Sequence, residues 1–206
     1  LVIPGTELHE LWTNGKYEPL GIEDAIQLLI RMKQIVPRYV RIKRISRDIS
    51  EKEVSGGAKV TNLRQLVHMR MKELGIKCNC IRCREIGNKK TENIKLEKIE
   101  YEASGGREVF MSFESANSIV AFVRLRLAEN AFIRELHVYG EQSPVNRNIP
   151  SSFQHRSLGK QLLAEAERTA AENGYKKLRV TSGVGVRNYY RRLGYILEKP
   201  HMVKAL

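Results

Sequence analysis

Three groups of residues in this 206-residue chain have the types and spacing to do chemistry. Cys78-x-Cys80-x-x-Cys83 places three soft thiolate ligands within one short segment, a spacing suited to zinc or an iron–sulfur cluster. These are the chain's only cysteines. An odd, tight set cannot build a disulfide framework, so it points to a metal in a reducing, cytoplasmic compartment. The second group, Gln154-His155-Arg156-Ser157-Leu158-Gly159, precedes a helical pattern. A helix start offers unpaired N–H groups and partial positive charge, and small side chains at Ser157 and Gly159 let a pyrophosphate approach the backbone. The third is the pair Tyr189 and Tyr190, two adjacent phenols that can give or take a proton. Each has an ordinary reading: free thiols, a plain helix start, core packing. Their order along one chain gives them weight together.

The elements that must position these groups follow from periodicity. Ile22, Ala25, Ile26, Leu29 and Ile30 share a helical face that Pro37 ends, and residues 39–45 alternate as a strand would. Asn62 and Gly75 bracket a helix with Leu63, Leu66, Val67, Met71 and Leu74 on its apolar stripe. From about residue 92 short strands take over: 94–101, a Ser104-Gly105-Gly106 turn, then Val109, Met111 and Phe113, then Val123, Leu125 and Leu127, then 131–139. A helix from Leu158 to Glu172, a strand over 177–181 and a short helix near 187–193 complete the pattern. In 131–139, strict alternation sets Ile133 opposite Leu136 and Val138, and a bulge near Glu135 would reconcile them. The fold class expected is α+β.

The net charge of +13 is spread along the chain, and basic residues concentrate between Arg38 and Arg84. A folded domain this basic usually meets a polyanion, most often nucleic acid. With only Tyr39 as an aromatic in that stretch, the expected contact is a grip on phosphate rather than base reading. No apolar run is long enough for a membrane span.

The segment Ser182-Gly-Val-Gly-Val-Arg-Asn-Tyr-Tyr-Arg-Arg-Leu-Gly-Tyr195 resembles the closing motif of the Gcn5-related N-acetyltransferase superfamily. A closer resemblance, to the Elongator catalytic-subunit family, rests on several segments in order. They include Leu1-Val-Ile-Pro-Gly-Thr6, Arg82-Cys-Arg-Glu85, Arg134-Glu-Leu-His-Val-Tyr-Gly140, Phe153-Gln-His155, Arg187-Asn-Tyr-Tyr190 and His201-Met-Val-Lys204. The resemblance implies a C-terminal piece of a tRNA-modifying enzyme that builds a carboxymethyl-type group at C5 of the wobble uridine from acetyl-CoA. It implies a Gcn5-related N-acetyltransferase fold over 92–206. Before it would come a zinc-binding segment (51–91) and the end of a radical S-adenosylmethionine barrel (1–50). The 4Fe–4S cluster and S-adenosylmethionine belong to the preceding part, whose Cys-x-x-x-Cys-x-x-Cys spacing this chain lacks; Cys78, Cys80 and Cys83 are therefore assigned to structural zinc. The fourth ligand is open between His68, a group outside the chain and a water.

Carried over by position, acetyl-CoA contacts fall on Glu135, Leu136, His137 and Val138, on Arg156 and Ser157, on Leu158, Gly159, Lys160 and Gln161, and on Tyr190. Tyr189 and Tyr190 are the catalytic candidates. Ser157 departs from the family pattern, which has glycine there; its hydroxymethyl group either crowds the phosphate or hydrogen-bonds to it. Expected partners are tRNA, acetyl-CoA and either Elongator subunits or a second copy, with no membrane. Two other readings stand beside this one. A self-sufficient lysine or small-amine acetyltransferase would use Glu135 as its base. A non-enzymatic reading is a zinc-stabilised RNA-binding scaffold.

Overall fold

The computed structural model describes residues 1–46, 49–87, 91–139 and 157–206. The cradle residues Gln154, His155 and Arg156 lie outside the described residues. The chain divides into two compact units, Leu1–Cys83 and Arg84–Leu206.

The first unit is built on α1 (Glu7–Thr13), α2 (Ile22–Ile35) and α3 (Leu63–Glu73), and the one-turn α4 (Ile81–Arg84) follows in the chain. The apolar stripe does not announce α1; its start does, because Thr6 accepts a hydrogen bond from the His9 N–H and Glu7 and Glu10 face the positive helix end. Helix α2 stops where Val36 turns extended ahead of Pro37, as the residue before a proline must. Its Ile26 and Ile30 bury against Leu63, Val67 and Met71 of α3. Each such side chain contributes roughly 1.5–3 kcal/mol. Gly75 closes α3 with φ +67°, the conformation expected of a glycine after a helix end. Asn62 holds the cap position without a side-chain cap bond.

The expected strand at 39–45 does not form. Its carbonyls are taken by other partners: the Ile81 N–H donates to Val40 O at 2.9 Å. The Arg64 guanidinium donates to Ile42 O at 3.3 Å and Lys43 O at 3.1 Å. A period of two marks a half-buried extended segment, and a side chain can satisfy such a segment as well as a neighbouring strand can.

The second unit holds one seven-stranded sheet in the order β1-β2-β3-β4-β5-β7-β6. β1 (Lys95–Ala103), β2 (Gly106–Ser115), β3 (Ser118–Leu127) and β4 (Ala131–Val138) form an antiparallel meander. Ser104 and Gly105 turn its first hairpin, both with positive φ, the hand that matches strand twist. After β4 come α5 (Leu158–Glu172), β5 (Lys177–Val180), α6 (Arg187–Arg191), β6 (Ile196–Glu198) and β7 (His201–Ala205). β5 pairs parallel to β4 and antiparallel to β7. Leu158, Leu162, Leu163, Ala166 and Ala170 lay α5 onto Val109, Met111, Val123, Leu125, Ile133 and Leu178.

The expected bulge is present. Arg124 pairs with Glu135 but Leu125 pairs with Ile133, so Arg134 is the extra residue. This insertion brings Ile133, Leu136 and Val138 to one face despite their spacing. Among the described residues no helix is long and apolar enough to cross a membrane.

Candidate functional site

In the second unit the chemistry gathers where β4 and β5 part. Their parallel pairing covers Ala131↔Leu178, Phe132↔Arg179 and Ile133↔Val180. Beyond Ile133, β4 runs on beside β3 alone as far as Val138. The edge left facing the gap carries backbone groups that can pair with the amides of an extended ligand. A cleft of about 540 Å³ opens there, lined by Leu136 and Val138 from β4, Ser157, Gly159 and Lys160 from the start of α5, and Val186, Tyr189 and Tyr190 from the α6 region. Val186 had no signal in the sequence beyond its place in a glycine-rich turn.

Gly159 is there because of a close approach. A Cβ at this position would meet the Tyr189 hydroxyl at 3.3 Å and Val138 Cγ2 at 3.4 Å. Glycine lets the first turn of α5 bring its N–H groups to the cleft. Leu158 is buried in the core, so only its backbone can serve a ligand; Gln161 N–H donates to Ser157 O and starts the helix. Ser157 itself is left-handed, φ 53° and ψ 23°, and makes no side-chain cap bond. Glycine adopts that conformation freely, whereas an L side chain is strained in it by about 1–2 kcal/mol.

Glu135 and His137 point their side chains away from the cleft, as neighbours of Leu136 on a strand must. Glu135 faces Arg124 at 3.8 Å, and His137 packs against Tyr139 and Phe122 with centroids 4.4 and 5.9 Å away. Only their backbone can address a ligand in the cleft, and Glu135 is not aimed at an amine there.

Tyr190 is 7 % exposed and Tyr189 is 36 % exposed. Tyr190 stands edge-on to both Tyr189 and Tyr195, with centroids 5.2 and 5.6 Å away. Burial first, and the neighbouring Tyr189 second, push the Tyr190 phenol up to about 12. Burial also raises Tyr189. Tyr195 is anchored in turn: its hydroxyl donates to Glu167 Oε1 at 2.8 Å, and Lys204 Nζ donates to Glu167 Oε2 at 2.7 Å. Glu167 and Lys204 are positioning groups that helical and strand periodicity register only as charged residues.

The first unit contains the cysteine cluster. The Cys78, Cys80 and Cys83 sulfurs all lie within 4.8 Å of one another, and none forms a disulfide. Helix α3 turns His68 toward them, with Nε2 3.8 Å from Cys83 Sγ. Tetrahedral zinc with ordinary bond lengths separates a sulfur from a nitrogen by roughly 3.6 Å, so this is a ligand-like spacing. Three thiols this close do not ionise independently: the hydrogen bond from Cys83 lowers Cys80 to about 4, and the same contact pushes Cys83 up. Desolvation, followed by Lys33 and Arg64, lowers His68 and favours its neutral, ligating form.

The basic stretch is thinner than its sequence. Arg84 is buried in a pair with Glu114 at 2.7 Å. Arg64 holds backbone carbonyls, and Arg70 faces Glu23 and Glu73. Lys43, Lys52, Lys59, Lys72, Lys77 and Arg82 remain exposed.

Residues 81–195 match the Acetyltransferase (GNAT) family, and residues 1–73 match the Radical_SAM C-terminal domain. The whole chain aligns at 45 % identity with 42 % of the tRNA uridine(34) acetyltransferase of Methanocaldococcus jannaschii. It aligns at 42 % identity with 41 % of the Elongator complex protein 3 of Homo sapiens. The chain thus spans about two fifths of the length of these relatives. All of it also superposes on 54 % of the solved archaeal Methanocaldococcus infernus Elp3 with an N-terminal deletion, with TM-score 0.89 and 41 % identity.

Proposed function

Since the chain belongs to the acetyltransferase (GNAT) family, in the branch of the Elongator catalytic subunits, we propose that it is the acetyl-CoA- and tRNA-binding part of a wobble-uridine-modifying acyltransferase. The observation that carries this is the cleft at the β4/β5 split, which joins a helix start, a free strand edge and a buried phenol. The pyrophosphate of acetyl-CoA sits at the first turn of α5, beside Ser157, Gly159 and Lys160. The pantetheine amides pair with the backbone from Glu135 to Val138, and Tyr190 protonates the thiolate that leaves when the thioester breaks. The amine acetyltransferase reading loses its base, because Glu135 is turned to Arg124. Free thiols suit the reducing cytoplasm.

The test is CoA release from acetyl-CoA by the full chain with and without tRNA. Release that depends on tRNA supports the proposal; equal release with lysine peptides in place of RNA favours an amine acetyltransferase. Replacing Ser157 with glycine relieves the left-handed strain and removes a side chain from the cradle. The variant should gain about 0.5–1 kcal/mol of stability and bind CoA about tenfold tighter. Calorimetric titration checks it; weaker binding would mean that the hydroxyl donates to the phosphate.

Zinc is the metal that Cys78, Cys80 and Cys83 fit, by ligand type and spacing, with His68 beside Cys83 as a candidate fourth ligand, and its contribution there would be structural. Purified chain should carry about one zinc per molecule. Cys80→Ser should remove most of it and lower the melting temperature by roughly 6–12 °C, the equivalent of about 3 kcal/mol. Elemental analysis and calorimetry check this, and a metal-free chain of full stability would refute it.

A further inference from the structure

Lys33 is 1 % exposed, one of the largest side chains fully enclosed by the fold. Lysine is almost never buried without an anion. Among the described residues its ammonium has no carboxylate partner; Lys33 Nζ instead donates toward Cys83 Sγ at 3.6 Å. The helical stripe of α2 explains the burial of Ile26 and Ile30, which face α3, but it does not call for a charge one turn later.

We propose that Lys33 is the positioning residue that balances the charge of the cysteine centre. The inference rests on the zinc reading above. Three thiolates and a neutral imidazole around a divalent cation leave one net negative charge. Lys33 supplies one positive charge at the sulfur edge of that centre, so the centre and the enclosed ammonium are neutral together. Its N–H also donates to a thiolate lone pair, which fixes the Cys83 side chain and ties α2 to the segment that carries the ligands. Such outer partners hold metal ligands in place and commonly govern affinity by about 10- to 100-fold.

The test uses Lys33→Met, which keeps the volume and removes the charge, and Lys33→Arg, which keeps the charge. Zinc affinity is measured on the full chain by competition with a chromophoric chelator. Melting is recorded with and without zinc, and the spectrum is recorded with cobalt(II) in place of zinc. A merely buried lysine replaced by an apolar side chain should leave the metal-free chain as stable or more stable. Against that, Lys33→Met should bind zinc about tenfold or more weakly. It should gain less on zinc addition and show its sulfur-to-cobalt band at lower energy, because a thiolate without its hydrogen bond is richer in electrons. Lys33→Arg should recover most of the affinity. Equal zinc affinity and an unshifted cobalt band in a folded Lys33→Met chain would overturn the role of Lys33 while leaving the zinc centre in place. A parent chain that binds no zinc would overturn both.

Discussion

Tyr190→Phe is expected to slow cleavage of the acetyl-CoA thioester by about 10²- to 10⁴-fold while leaving acetyl-CoA affinity within about twofold. The substitution removes one oxygen and keeps the ring, so the edge-on packing against Tyr189 and Tyr195 survives. In the proposed reaction, what disappears is the proton for the departing sulfur. Burial favours the neutral phenol and pushes it up to about 12, so the donor is charged with its proton throughout the neutral range. The sign follows: deprotonation sets in only as pH rises through that value, so Tyr190 alone should cause no loss of rate between about pH 7 and 10. An interaction made only as the bond breaks lowers kcat and kcat/KM together, whereas lost binding would raise KM alone. Tyr189→Phe is the matched comparison. The Tyr189 hydroxyl lies over Gly159, at the entrance formed by α5, and its removal should cost less than about tenfold. If Tyr189→Phe were the inactive variant, the proton donor would be the more exposed phenol.

Much of this site was legible because the sequence states it locally. The apolar stripe of α5 fixes its start at Leu158, and the spacing of Ile133, Leu136 and Val138 demands the bulge that the β3–β4 register contains. Tyr189 and Tyr190 fall on the cleft because a helix of only five residues follows a glycine turn at the end of β5. What was not legible depends on partners distant in sequence. The segment at 39–45 has a strand's alternation, but the Arg64 guanidinium reaches its carbonyls from 21 and 22 residues away. Nothing near Lys33 in sequence predicts that it ends beside Cys83, 50 residues on. Counting cations likewise cannot separate Arg84, enclosed with Glu114, from Arg82 two positions earlier, which faces solvent.

If the chain binds tRNA as proposed, that last distinction should set the strength of the binding. Of the basic residues between Arg38 and Arg84, Lys43, Lys52, Lys59, Lys72, Lys77 and Arg82 are exposed and have no carboxylate partner among the described residues. Each phosphate neutralised by a protein cation releases counterions and adds roughly −0.7 to −0.9 to the slope of log affinity against log salt. Six such contacts give a slope of about −5, so raising salt from about 50 to 200 mM should weaken tRNA binding roughly 10³-fold. Neutralising Lys72, Lys77 and Arg82 together should bring the slope to about −2.5 and weaken binding at low salt with little regard to RNA sequence. Arg84→Gln should behave differently. It breaks a buried ion pair and leaves Glu114 without its guanidinium, at a cost of about 3–5 kcal/mol in stability, without changing the slope of the molecules that stay folded. Filter binding across a salt series, with melting curves on the same samples, separates the two effects. A slope near zero for the parent chain would mean that tRNA is not held by these cations. A slope changed by Arg84→Gln but not by the triple variant would move the phosphate grip to the second unit.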